Sequence, residues 1–163
     1  MEAIMTEILD ILKENARVSV EDIAKMVQKT PAEVAQRIKE YEQAGTIRGY
    51  RTLVNEEHLP GERVTAVIEV KVQPEREGGF DRIARRISKF PNVVNMYLMS
   101  GKYDLLLFVE GATLREVAAF VSERLATLDG VLSTGTHFML KNYKQNGTLM
   151  DVDKTDERLQ VSP

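Results

Sequence analysis

The feature that most constrains this chain is a change of hydrophobic period partway along it. Up to residue 54 the apolar residues recur at steps of three and four, the repeat of helices that bury one face. From residue 63 to 73 they recur at every second position, the repeat of a half-buried strand: Val64, Ala66, Ile68, Val70 and Val72 are apolar, and the odd positions are polar except Val67. Between the two regimes lies NEEHLPGE, whose Pro-Gly and charges suit a linker. Two periods separated by a breaker predict a helical unit at 1–54, a linker at 55–62 and an α+β unit at 63–150. The charged, aperiodic remainder, 151–163, is expected to be a tail.

In the helical unit the first helix spans roughly 2–15, with Ile4, Ile8, Ile11 and Leu12 on one side. Ser19 opens a second helix, with Asp22 as its reciprocal capping partner and Ile23, Ala24 and Val27 inward. Thr30 caps a third helix, Pro31 fits its first position, and Glu33 closes a T-x-x-E capping box. Val34, Ile38 and Tyr41 form its apolar stripe, and Gly45 stops it. Residues 47–54 are expected to make a small two-stranded wing turning near Gly49. Three short helices and a ribbon describe a winged helix-turn-helix around Ile8, Leu12, Ile23, Val27, Val34, Ile38 and Tyr41.

The open face of the third helix begins at Thr30 and carries Ala32, Glu33, Gln36 and Lys39, with Arg37 on its flank; the wing adds Arg48 and Arg51. Such residues suit a solvated surface helix as well as a DNA groove. Charge distribution favours DNA. Residues 1–28 hold three Lys/Arg against six Asp/Glu, whereas 29–54 hold five against three, so positive charge gathers at the reading element. The net charge of −3 argues against a generally sticky nucleic-acid binder.

In the α+β unit Phe80, Ile83, Ala84 and Ile87 mark a helix closed by Pro91. Strands at 93–99 and 104–110 join through Ser100, Gly101, Lys102 and Tyr103. Thr113 and Glu116 cap a helix that turns Leu114, Val117, Ala118, Val121, Leu125 and Leu128 inward, and Asp129-Gly130 stops it. A strand at 131–141 follows, and 147–150 is expected to add a short edge strand. The order βαββαβ is that of a ferredoxin-like sandwich with helices on one sheet face. Residues 105–109 are apolar throughout and 93–99 nearly so, which leaves an apolar bare face predicted to meet a second copy.

The chain has no cysteine, which removes disulfides and thiolate metal sites and makes the cytoplasm the simplest location. No apolar run is long enough to span a bilayer, and no leader opens the chain. His58 and His137 lack metal-site spacing, and Gly78-Gly79 is too little to cradle phosphate. No catalytic constellation, metal or cofactor is expected.

The run from Arg37 to Tyr50, R-I-x-x-Y-E-x-x-G-x-I-x-G-Y, and the turn S-G-K-Y-D at 100–104 together resemble the leucine-responsive/asparagine-regulator (Lrp/AsnC) family of prokaryotic transcription regulators, over about 2–150. The acidic lead-in usual in that family is missing here, and Gln28-Lys29 stands where it often has a glycine. The resemblance implies operator binding by the first unit. It implies an ACT-like second domain that drives dimerisation, assembly to octamers or larger, and response to an amino acid. It places the effector cleft between dimers, walled by Ser100, Gly101, Lys102, Tyr103 and Asp104 and by Thr134 and Thr136. Gly101 would leave backbone N–H groups open to a carboxylate and Asp104 would face an ammonium; the plainer reading is a hairpin glycine and a capping aspartate. Some haem-precursor decarboxylases resemble the same two-domain family, so a tetrapyrrole enzyme is one alternative. An amino-acid sensor without DNA binding is another.

Overall fold

The computed structural model describes residues 2–61, 63–74 and 79–150, with residues 2–6 and 57 described in backbone only. The expected tail lies outside the described residues. The chain forms two compact units, Met1–Val54 and Asn55–Pro163.

In the first unit α1 (Glu2–Glu14), α2 (Val20–Met26) and α3 (Pro31–Gln43) enclose Ile8, Ile23, Ala24, Val27, Val34 and Tyr41. Leu12, Ile38 and Ile47 pack against that cluster, so all seven residues of the expected core belong to it. Ser19 caps α2: its Oγ accepts from the Asp22 N–H at 3.1 Å and donates to the Asp22 carboxylate at 2.7 Å. Gln28 carries the turn into α3 at φ 54°, the left-handed conformation that glycine adopts more cheaply, and the Lys29 N–H donates to the Ala24 carbonyl at 2.9 Å.

The expected two-stranded wing is a correction: 47–54 contains no strand. The Ile47 N–H bonds the Tyr41 carbonyl, and the Tyr50 hydroxyl donates to Glu42 at 3.0 Å, so the segment is folded back on the end of α3. A ribbon a few residues long has too little packing to persist alone, which is why these local bonds prevail.

In the second unit β1 (Val64–Val72), α4 (Asp81–Ile87), β2 (Val93–Leu98), β3 (Leu105–Gly111), α5 (Leu114–Phe120) and β4 (Val131–Phe138) follow in order. The sheet runs β2-β3-β1-β4 with every neighbouring pair antiparallel. The even residues of β1 and Leu105, Leu107 and Val109 of β3 bury against Ile83, Ile87, Val117, Phe120 and Leu125. On α5 the expected inward Leu114 and Ala118 face solvent, and Phe120 takes their place against Phe90, ring centroids 5.3 Å apart. Val117 and Phe120 set the phase of the stripe, and a π turn over Val121–Leu125 returns Leu125 to the core.

β4 ends at Phe138, short of the expected 141. Residues 148–149 pair with 144–145 in a separate two-stranded hairpin, not along the main sheet. Met150 beyond it is buried, and its carbonyl accepts from Asn55 Nδ2 at 2.9 Å. On the helix-free face, Tyr97, Leu106, Glu69 and Gly135 form one cross-strand row and Asn95, Phe108, Val67 and His137 the next. The apolar character is therefore confined to the β2–β3 side and Val67, while the β4 side carries a Glu69–His137 pair at 3.7 Å. Among the described residues no helix is long and apolar enough to cross a membrane.

Candidate nucleic-acid interface and ligand hairpin

The start of α3 is held by its own side chains. Thr30 Oγ1 accepts from the Glu33 N–H at 3.3 Å, while Glu33 Oε2 accepts from the Thr30 N–H at 2.9 Å and the Thr30 hydroxyl at 2.8 Å. Those two donors, backbone first, hold the Glu33 carboxyl below its usual range. Glu33 closes the expected capping box, its carboxylate turned back onto the cap, because an anion is most favourable beside the open N–H groups of a helix start.

Further along, Gln36 Nε2 and Arg37 Nη1 both donate to Glu40, at 3.2 and 2.9 Å. Glu40 was missed as the residue that gathers them, although i,i+3 and i,i+4 spacing makes it legible. The Arg37–Glu40 pair is half-buried, with both side chains still reaching solvent, so a phosphate can compete for the guanidinium. Ala32 and Lys39 are exposed on the same helix. Arg48 folds over the helix end: its Nη1 lies 2.9 Å from where a Cβ on Gly45 would sit, and Gly45 adopts φ 71°. A side chain there would meet both an occupied space and a left-handed backbone. Arg51 is exposed beyond it.

The second candidate site is the β2–β3 hairpin. Asp104 fastens its base to β1: the Asp104 N–H donates to the Val70 carbonyl at 3.0 Å, and its carboxylate accepts from the Val72 N–H at 2.9 Å and Lys71 Nζ at 3.1 Å. The Val72 N–H, followed by the Lys71 ammonium, keeps this carboxyl below its ordinary range despite partial burial. The expected role facing a ligand ammonium is thus already answered within the chain by Lys71, a residue sequence reasoning missed because it lies 33 positions away. Ser100, Gly101 and Lys102 are exposed at the tip, Tyr103 is half-buried, and nothing lies within 4 Å of a Cβ built on Gly101.

Thr134 and Thr136 stand elsewhere. They pair with Val70 and Ile68, which puts them on the helix-side face of edge strand β4, both half-buried. Leu105 pairs with Val70 from the other side, so β1 separates the hairpin from Thr134 by two strand spacings, roughly 10 Å. One chain does not bring the two groups into a common cleft.

A capped helix with an exposed polar face on a three-helix unit, joined to a βαββαβ domain, is the architecture of a helix-turn-helix module coupled to a ferredoxin-like domain. Comparison with known proteins identifies the kind. The Lrp/AsnC ligand binding domain matches residues 65–149, and the winged helix-turn-helix DNA-binding family matches residues 1–48. The chain is 46% identical to YugG of Bacillus subtilis (strain 168), itself described as an uncharacterized HTH-type transcriptional regulator, over 97% of this chain and 96% of the relative. It is 29% identical to the leucine-responsive regulatory protein of Haemophilus influenzae, covering 92% and 90% of the two chains. Among solved structures, the transcriptional regulator NMB0573 of Neisseria meningitidis in complex with L-methionine matches with a TM-score of 0.69 at 26% identity, covering 87% of this chain and 91% of that one. Escherichia coli AsnC shares the fold with a TM-score of 0.68 at 22% identity, over 93% and 99% of the chains. The chain belongs to the Lrp/AsnC family and is a DNA-binding transcriptional regulator. These relatives support neither the decarboxylase reading nor a sensor without DNA.

Proposed function

We propose that residues 1–54 read operator DNA, that 55–62 link them to a ligand-binding and assembly domain at 63–150, and that an amino acid sets the regulator's assembly. On α3, Ala32 and Gln36 face bases, while Arg37, Lys39, Arg48 and Arg51 grip phosphates; Thr30 and Glu33 hold the helix start in shape. The amino acid lies against Ser100, Gly101, Lys102 and Tyr103, with Asp104 bracing the hairpin. Thr134 and Thr136 contribute from another copy, since one chain keeps them apart from its own hairpin. The L-methionine complex of the Neisseria relative supports this ligand class. The bare sheet face, where Tyr97 and Phe108 meet edge to face with centroids 6.2 Å apart, supports a homodimer, the unit from which an octamer or larger assembly is built. A dimer reads two half-sites about one helical turn, roughly 34–36 Å, or a multiple apart. Such a regulator works in the cytoplasm beside its DNA.

The observation that carries the ligand site is the hairpin itself, anchored at its base by Asp104 and open at Gly101. Calorimetry with the twenty amino acids on the unmodified protein and on Gly101→Asp, beside sedimentation with any binder, tests it. We expect at least one amino acid to bind and shift assembly, and the variant to lose both while retaining DNA binding. No binder for the unmodified protein, or equal binding to both, overturns the ligand site.

A further inference from the structure

The second unit holds a concentration of positive charge that neither candidate site uses. Residues 55–163 contain 14 Lys/Arg against 16 Asp/Glu, yet four of those cations, Arg82, Arg85, Arg86 and Lys89, fall within 82–89. Asp81 is the one acid beside them in 81–89. At 100° per residue Arg82, Arg85 and Arg86 lie within an arc of about 100° on α4, away from the buried Ile83 and Ile87, and Lys89 follows in the turn after the helix. All four are exposed. Arg85 reaches Asp81 only at 3.9 Å with both side chains largely in solvent, and among the described residues Arg86 and Lys89 make no ion pair. From Arg82 to Arg86 the stripe runs about 6 Å along the helix axis, comparable with the rise over two phosphates of one DNA strand, and Lys89 continues it in the turn beyond.

A solvated helix face of ordinary composition mixes signs, as the α5 segment does with Arg115, Glu116, Glu123 and Arg124. Arg82 is not without a partner and Arg85 has Asp81 nearby, but Arg86 and Lys89 stand together with no ion pair among the described residues, and their repulsion is relieved by a polyanion. In a chain that already binds DNA, the polyanion of complementary charge at hand is the duplex itself.

We propose that the outward face of α4 is a second DNA-contacting surface, gripping the phosphate backbone without reading sequence, in addition to the helix-turn-helix. It does not depend on the ligand site. Duplex neutralised there extends the length of DNA bound per chain, and it adds to the salt dependence of binding rather than to sequence preference.

The test uses the full chain on a fragment of its own promoter long enough to run past the helix-turn-helix footprint. Affinity is measured against salt for the unmodified protein, for Arg86→Gln/Lys89→Gln, and for the charge-matched control Arg115→Gln/Arg124→Gln. Light scattering compares the assembly of all three. The α4 variant is expected to lower the magnitude of the slope of log affinity against log salt by about 2, with the control nearly unchanged and assembly equal. Base-pair substitutions in the operator should carry the same penalty in all three. Equal slopes in the α4 variant and the unmodified protein, an equal loss in the control, or a changed assembly size would overturn the proposal. The last would make this face a protein interface. A loss of binding on Arg37→Ala alone bears on the helix-turn-helix and leaves the slope difference between the two double variants readable.

Discussion

Lys71 Nζ lies 3.1 Å from Asp104 Oδ1, and the same carboxylate accepts the Val72 N–H through its other oxygen at 2.9 Å. The pair ties the base of the β2–β3 hairpin to a strand 33 residues earlier, with Asp104 only 14% exposed and Lys71 42% exposed. The hairpin tip can stay open to solvent because its root is held this way.

Asp104→Asn should therefore loosen the hairpin. It removes a charge-assisted acceptor for a backbone donor, and we expect a cost of about 1.5–3 kcal/mol in chemical denaturation. The folded Asp104 carboxyl lies below its unfolded value near 3.9, so its contribution is fully present above that pH and fades as pH falls through the folded value. The gap in stability between the unmodified protein and the variant should accordingly be widest near neutrality and narrow below about pH 4. A constant gap would remove the charge from the account.

Gln28 adopts φ 54° in the turn of the helix-turn-helix. Gln28→Gly should leave stability unchanged or raise it by up to about 1 kcal/mol, the relief of left-handed strain offset by greater unfolded-chain entropy. Gln28→Val should destabilise by more than about 1 kcal/mol. Thermal melts of the three proteins decide it, and a destabilised glycine variant would contradict the strain argument.

Arg37→Ala should weaken promoter binding and lower the salt slope by about 1, provided the helix-turn-helix stays folded by circular dichroism. Because Glu40 accepts from Arg37 at 2.9 Å, Glu40→Gln should have the opposite sign, freeing the guanidinium and tightening binding. Unchanged affinity in a folded Arg37→Ala protein would take Arg37 out of the interface.

Phe108→Asp tests the bare sheet face. A carboxylate on the face shared with Tyr97, Leu106 and Val67 would be buried without a partner in each subunit of a face-to-face dimer, a cost of several kcal/mol per site. Light scattering should show monomer or aggregate, and a soluble dimer of unchanged stability would exclude this face.

The sequence alone determined everything written in short range. The capping box at Thr30, the hydroxyl cap at Thr113, the core stripe of α3 and the alternation of β1 are set by spacings of two to four residues, and each formed; at Thr113 the Glu116 carboxylate takes the Ala112 N–H instead of closing a box. Tertiary structure decided what depends on partners far along the chain or on competition between local bonds. Lys71 meets Asp104 only because β1 lies beside β3, and Thr134 is divided from the hairpin only because β1 lies between them. The missing wing and the outward Leu114 share one cause. Each residue has two environments compatible with its local pattern, and the choice between them is made by packing and by which donors stand unpaired nearby.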